Sequence, residues 1–243
     1  MPPPSKIIPP ANIPEAALAI FARAPLPGQC KTRLIPSLGP QGAAAFQRAL
    51  LQDTLHKTAP LGNKLALYLM TAGAGFNFIE NRKQEISRFT LLRQRGSDLG
   101  ERLGNAFRLL LRRHTHVLII GTDSPPLTRQ ILRQAIGELR WCDAVLGPCP
   151  DGGYYLIGLR REAGGHLGKG LLHNIRWGSA RAFEDTLRNL ITAGVACSLL
   201  EPLEDVDRPE DLMRLKRRMI SDVRTRHWAP RTWRFLRKES SGF

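Results

Sequence analysis

The sequence predicts an α/β fold: three layers, α/β/α, around a mostly parallel sheet. Three observations lead there. Short, continuous apolar runs recur along the chain, such as HVLIIG at 116–121, and they have the length and composition of buried strands. Between them lie longer segments with apolar residues three and four apart, as in 99–113, where Leu103, Phe107, Leu110 and Leu111 share one side. The two patterns alternate. Strand, helix, strand in that order makes βαβ units, with helices on both faces of the sheet.

Taken in order, 16–22 (AALAIFA) is the first buried strand. A helix follows over 40–58, with Pro40 in its first turn, where proline is tolerated, and Ala45, Ala49, Leu50 and Leu55 as a rough apolar stripe. Strands at 64–70 (KLALYLM) and 89–92 precede the helix of 99–113 and the strand of 116–121. Thr128 caps a helix that runs to about residue 140. Strands at 144–147 and 154–159, a helix from Ser179 to about residue 193, a strand at 195–200 and a helix from about Pro209 complete the order. The Gly-rich stretch 164–170 reads as a linker, and no internal repeat is present. The domain organisation expected is a disordered Pro-rich leader over 1–15, with six prolines in its first fourteen residues, one domain over 16–220, and a basic tail over 221–243.

Composition narrows the class. Hydrophobic residues are 42% of the chain, close to ordinary globular usage. No apolar run approaches the ~20 residues of a membrane span, and the Pro-rich start has no apolar signal region. A cytoplasmic protein without a membrane span is expected. The four cysteines, Cys30, Cys142, Cys149 and Cys197, form no CxxC pair and read as reduced thiols, with Lys31 and Arg33 placed to lower the pKa of Cys30. The net charge is +15, of which +8 lies in 212–243, with ten Lys or Arg against two acids. That segment interleaves Trp228, Trp233 and Phe235 with arginines, a mix suited to nucleic acid. The carboxylate-bearing loops would repel nucleic acid, so no such partner is expected, and the tail is expected to be dispensable for chemistry.

In an open α/β sheet the ligand sits outside the carboxyl ends of the strands. The loops there carry the chemistry. After the first strand comes FARAPLPGQCKTRL, where prolines and Gly28 force a loop and Lys31 and Arg33 offer a point charge and a guanidinium fork to a polyphosphate. After the central strand comes GTDSPP, which places one carboxylate, Asp123, where it suits Mg²⁺ bridging substrate phosphates. The loop GPCPDGGY offers Asp151 for a metal or a sugar hydroxyl and a glycine pair, Gly152 and Gly153, for close backbone approach. In DVDRPED, Asp205 and Asp207 are two apart in an extended segment and face one side, so both can converge on a cation. Asp207 also has the spacing of a helix N-cap, with Glu210 as its capping-box partner. GSDLGER with Asp98, and Trp177-Gly178-Ser179 before a helix, reach the same edge.

These segments, FARAPLPGQCKTRL, QRGSDLGERL, GTDSPPL, GPCPDGGYYLIGL, IRWGSA and DVDRPEDL, occur in the order and spacing of one family. Over roughly 16–216 the chain resembles the bacterial glycosyltransferases linked to radical-SAM and arsenosugar biosynthesis genes, within the GT-A-type nucleotide-diphospho-sugar transferases. It is also similar to the molybdenum-cofactor nucleotidyltransferases and the 2-phospholactate guanylyltransferases. The resemblance implies a Rossmann-like GT-A fold and a transferase. It implies that Arg23, Lys31 and Arg33, with Asp98, serve the nucleotide phosphates. Asp123 is then the principal metal ligand, completed by Asp205 or Asp207, for Mg²⁺ or Mn²⁺. Asp123 and Asp151 are the catalytic carboxylates, and Gly152, Gly153, Tyr154 and Trp177 shape the acceptor pocket. The partners implied are a nucleotide or nucleotide-sugar and a small-molecule acceptor. Two departures from the wider pattern stand out: the central strand ends in Thr122-Asp123-Ser124 rather than DxD, and the first loop lacks the usual glycines. The reaction expected is transfer of a sugar from a nucleotide-sugar to a small acceptor; the alternative is nucleotidyl transfer from an NTP to a phosphorylated small molecule with release of pyrophosphate.

Overall fold

The computed structural model describes residues 14–72, 75, 79 and 86–238. Most of the Pro-rich leader and the last five residues lie outside that range. Among the described residues seven strands form one sheet: β1 (Ala16–Phe21), β2 (Ala66–Thr71), β3 (Thr90–Arg93), β4 (His116–Ile120), β5 (Ala144–Pro148), β6 (Tyr154–Arg160) and β7 (Cys197–Leu199), in the order β3-β2-β1-β4-β6-β5-β7. Every pairing is parallel except the two made by β6. The cause is local. The 149–153 turn is too short for the crossover that a parallel pair needs, so β5 and β6 close as a hairpin, with a register shift at Gly147/Pro148. β4 is buried along its whole length, as its unbroken apolar run requires.

Helices α1 (Ile35–Thr58) and α3 (Arg129–Glu138) cover one face of the sheet, where Leu51, Leu55, Ile131 and Leu132 pack on Leu18, Ile20, Leu118 and Ile120. Helices α2 (Leu99–Leu110) and α4 (Ala182–Thr192) cover the other, where Leu103, Phe107 and Leu190 pack with Val117, Ile119 and Ile157. The fold is therefore the three-layer, Rossmann-like α/β arrangement expected. Gly39 interrupts α1 (φ 66, ψ 167), so its regular part starts at Pro40, where the sequence places it. The Gly-rich 164–170 stretch forms short 3-10 turns rather than an open linker.

The basic segment after residue 221 is built into the molecule. Helix α5 (Pro209–Ser221) is followed by α6 (Val223–Trp228) and α7 (Pro230–Lys238), and these pack on the outer side of α1. Phe46 and Leu50 of α1 join Leu215, Met219, Ala229 and Leu236 in a third apolar cluster. Its aromatic residues are engaged: Phe235 lies 5.3 Å from Phe46, Trp233 lies under Arg226 and Trp228 under Arg129. The start of α7 is anchored by Asp53 of α1, which is 2% exposed and accepts from the Thr232 amide and hydroxyl, both at 2.8 Å.

The sheet order gives the site its place. Strands β2 and β3 lie to one side of β1, and β4 to the other. Chain reversal between β1 and β4 opens a crevice at their carboxyl ends, where the loops after β1, β4, β5 and β7 gather.

Candidate functional site

A cleft of about 870 Å³ opens at that crevice. Arg23 and Arg33 from the β1 loop, Gln47 of α1, Gln94 after β3, Arg102 of α2 and Asp123 after β4 are among its lining. The volume is in the range that holds a nucleotide-sized ligand. A smaller pocket, about 280 Å³, lies between α1 and the turn at Phe89 and includes none of the strand-end loops.

Lys31 sits at the centre of the charge arrangement. Its backbone is left-handed (φ 46), and it is only 7% exposed. Its ammonium meets Asp123 Oδ1 at 2.7 Å and donates to Asp207 Oδ1 at 2.9 Å and to the Val206 carbonyl at 2.6 Å. Burial works to lower the Lys31 pKa, but the two carboxylates prevail and hold it above its ordinary value. Asp207 in turn is kept low despite burial, chiefly by Lys31. Arg33 is exposed and stands 3.7 Å from the other Asp207 oxygen. The loops are also pinned through backbone, since the Val206 amide donates to the Asp123 carbonyl at 3.0 Å.

The carboxylates divide into two groups. Asp123 and Asp207 share Lys31, whereas Asp205 turns to Asp151 and Cys149. The ligand atoms of these last three lie within 4.8 Å of one another. Burial and the neighbouring Asp151, Asp207 and Asp123 push Asp205 up to about 7. Burial and the Asp205 charge also push the Cys149 thiol up. Asp205 and Asp207 thus keep different partners, while the charge of Asp207 still bears on Asp205. The lysine claims Asp207, and the β5–β6 hairpin brings different partners to Asp205.

Other expected site residues have local tasks. Asp207 is not the helix cap: Arg208 holds that position in α5, and Asp211, not Glu210, accepts from the backbone amides of Asp207 and Arg208 at 2.9 and 2.8 Å. Asp98 caps α2 by accepting from the Glu101 amide at 2.8 Å. Gly152 has a positive φ of 86°, and any side chain there would run into the Ala180 backbone, so its glycine is required by this chain's own packing. Asp151 accepts from the Gly153 amide at 2.9 Å, which fixes its carboxylate at the turn. The Tyr154 and Trp177 rings meet edge to face, 6.2 Å apart, and both pack against the core under α2 and α4. Their neighbour Gly178 lines the cleft. The Cys30 pKa is raised by burial rather than lowered by its basic neighbours, and all four cysteines are free.

Several residues that hold the site gave little signal in the sequence. Gln47, 2% exposed, donates to the Thr122 hydroxyl at 3.1 Å and to the Arg23 carbonyl at 3.4 Å, joining the β1 and β4 loops. The Thr122 hydroxyl donates to Asp123 Oδ1 at 3.3 Å. Lys57 donates to the Pro125 and Leu127 carbonyls at 3.0 and 2.9 Å and fixes the turn behind Asp123. A lone polar residue on the buried side of a helix was the available clue for Gln47 and Lys57. Cys149 was read as a plain thiol, although its place two residues before Asp151 could have flagged it.

A crystallised protein of Desulfovibrio desulfuricans G20, provisionally named a nucleotide-diphospho-sugar transferase, is 29% identical over 94% of this chain and 96% of its own, with a TM-score of 0.84. The 4-diphosphocytidyl-2C-methyl-D-erythritol synthase of Anaerococcus prevotii superposes with a TM-score of 0.59 at 10% identity, over 85% of this chain and 99% of that one. A Mycobacterium tuberculosis H37Rv protein, in complex with manganese, superposes with a TM-score of 0.50 at 16% identity, over 82% and 96%. These last two speak to the fold alone. No curated protein matches the chain. Among the described residues no helix is long and apolar enough to cross a membrane. Residues 54–179, more than half of the chain, match the family described as "Uncharacterized protein conserved in bacteria (DUF2064)", and the chain belongs to that family.

Proposed function

We propose that the chain is a metal-dependent transferase that moves a sugar from a nucleotide-sugar to a small acceptor. The observation that carries this reading is the cleft at the β1–β4 crevice, lined by the exposed Arg23 and Arg33 and by the carboxylates Asp123 and Asp207 of the β4 and β7 loops. Guanidinium forks match the paired oxygens of a diphosphate. Among the described residues, Cys149, Asp151 and Asp205 are the group whose ligand atoms lie close enough for one ion. The two carboxylates suit Mg²⁺ or Mn²⁺, and the thiol favours Mn²⁺ of the two. Such an ion neutralises charge on the leaving diphosphate.

The chain's own residues then bind and orient. Arg23 and Arg33 take the diphosphate, Lys31 and Gln47 hold the loops in register, and Asp151, exposed at the turn, orients the acceptor hydroxyl. The acceptor oxygen bonds to the anomeric carbon as its proton passes to the Asp151 carboxylate, the bond from that carbon to the diphosphate breaks, and a nucleoside diphosphate leaves with the bonding electron pair. Catalysis in this reading is positioning plus stabilisation of the leaving charge. The domain is taken to run from residue 16 through α7, because the C-terminal helices share its core. The motif resemblance to the arsenosugar-linked glycosyltransferases adds hydroxylated acceptors of that type to those worth offering.

A second reading, nucleotidyl transfer to a phosphorylated small molecule, is favoured by one feature: β4 ends in a single carboxylate, Asp123, between Thr122 and Ser124. Product analysis separates the two. The full chain with Mn²⁺ is offered nucleotide-sugars, and separately the four NTPs, against one acceptor panel. Nucleoside diphosphate release from a nucleotide-sugar supports glycosyl transfer. Pyrophosphate release from an NTP, with no turnover of any nucleotide-sugar, removes it in favour of the second reading.

A further inference from the structure

The sequence presents Lys31 and Arg33 as a matched pair of phosphate ligands. The structure treats them differently. Lys31 is buried to 7% exposure and Arg33 is exposed. An ammonium has three N–H donors and no more. All three of Lys31 have acceptors on this chain: Val206 O at 2.6 Å, Asp123 Oδ1 at 2.7 Å and Asp207 Oδ1 at 2.9 Å. A phosphate oxygen would have to displace one of them, and displacement of a carboxylate leaves that charge partly buried without its partner. The left-handed backbone at Lys31 is a costly conformation for a residue with a side chain. Charge also balances without a ligand. Two carboxylates face Lys31, and Arg33 approaches the free oxygen of Asp207 at 3.7 Å.

We infer that Lys31 is a positioning residue, a built-in cation fixed between Asp123 and Asp207 that joins the β1, β4 and β7 loops, and that substrate phosphate is gripped by Arg23 and Arg33 instead. The assignment of the phosphate rests on the proposed nucleotide reading of the cleft; the assignment of Lys31 does not. With the ammonium in place, no divalent ion sits between Asp123 and Asp207, and the ion of this site goes to the Asp205 cluster. Removal of the ammonium leaves two facing carboxylates, a pair that a hard divalent ion binds.

Two measurements test this. The first counts Mn²⁺ bound per chain, by the electron paramagnetic resonance of free Mn²⁺, for wild type and Lys31→Met, with pyrophosphate affinity measured beside it. Lys31→Met should bind one Mn²⁺ more than wild type, with pyrophosphate affinity at saturating Mn²⁺ within about threefold, whereas Arg23→Ala with Arg33→Ala loses about tenfold or more. An unchanged Mn²⁺ count together with loss of pyrophosphate binding in a folded Lys31→Met overturns the inference. The second needs no variant: amine acetylation of the wild type, read by mass spectrometry, with exposed Lys64 as the reactive reference. Lys31 should resist acetylation equally with and without pyrophosphate. A Lys31 that reacts readily and becomes protected by pyrophosphate is a phosphate ligand, and the inference fails. If wild type binds no pyrophosphate at all, the nucleotide reading falls, while the Mn²⁺ count and the basal resistance of Lys31 still decide its role.

Discussion

Two lysines of this chain, Lys31 and Lys57, are buried against the segment 123–127 that follows β4, and they are opposites. Lys31 faces two carboxylates, and its charge is locked on. Lys57 faces two backbone carbonyls, with Asp53 as its carboxylate partner in charge, and burial lowers it from 10.5 to about 8. Both clamp loops beside Asp123: Lys31 holds the β7 side to β4, and Lys57 holds the 125–127 turn to α1. The contrast separates function from scaffold. At Lys31 the chain brings together carboxylates that would repel one another and then cancels them with a fixed cation. At Lys57 it satisfies backbone oxygens, for which neutral dipoles suffice, and accepts a titratable amine as the cost.

The largest expected effect strikes the scaffold half. Truncation after Ser221 removes α6 and α7, exposes Phe46 and Leu50, and strips Asp53 of the Thr232 amide and hydroxyl. Loss of those hydrogen bonds and of the apolar burial around Phe46 and Leu50 together should cost several kcal/mol, on the order of 1 kcal/mol per hydrogen bond and about 25 cal/mol per Å² of apolar surface. The truncated chain should lose its cooperative urea transition or aggregate. The same truncation decides whether the basic tail is dispensable for chemistry: it carries no strand-end loop, but its helices share an apolar cluster with α1. A truncated protein with the wild-type midpoint would show that Asp53 and α1 stand alone.

The next effect is electrostatic. Between about pH 8 and 10.5 the folded chain has released the Lys57 proton and the unfolded chain still holds it. Stability should therefore rise with pH across that window. Below it both states are protonated and the full cost of burying the charge remains. Lys57→Met removes this contribution, so the wild-type-minus-variant difference in unfolding free energy should shift in favour of wild type by up to on the order of 3 kcal/mol from pH 7 to 10. Denaturant melts at four pH values measure it, and a difference flat with pH contradicts the assignment. A smaller effect sharpens the boundary of the site. Asp98→Ala should cost about 1 kcal/mol, the value of a helix cap, and leave nucleotide affinity unchanged. A loss of affinity without loss of stability would return Asp98 to the phosphate-binding group.

How far the sequence carries the reader can be seen at the same residues. The strands and the three layers were legible because each rests on local periodicity, and β4 carries the clearest run of all. The antiparallel β6 had a signal too, in the five-residue turn at 149–153, although continuous apolar character alone does not state direction. The site was legible as loops and opaque as contacts. Lys31 and Arg33 are two apart, and adjacency does not say which is buried. Asp205 and Asp207 face one side of an ideal strand, but the partners that separate them, Cys149 and Lys31, arrive from other parts of the chain. Gln47 and Thr122 are 75 residues apart, and Asp53 and Thr232 are 179 apart. Polar residues on α1 read as a ragged apolar stripe until those partners are known.

In the proposed function this edge binds a nucleotide-linked diphosphate with its exposed guanidiniums. Titration calorimetry of ADP, CDP, GDP and UDP into the full chain, with saturating Mn²⁺, tests it most directly when repeated on the Arg23→Ala, Arg33→Ala double variant. At least one nucleotide should bind the wild type, and the double variant, with an unchanged melting temperature, should lose about tenfold or more in affinity. No binding by any of the four, or equal affinity in both proteins, would contradict it.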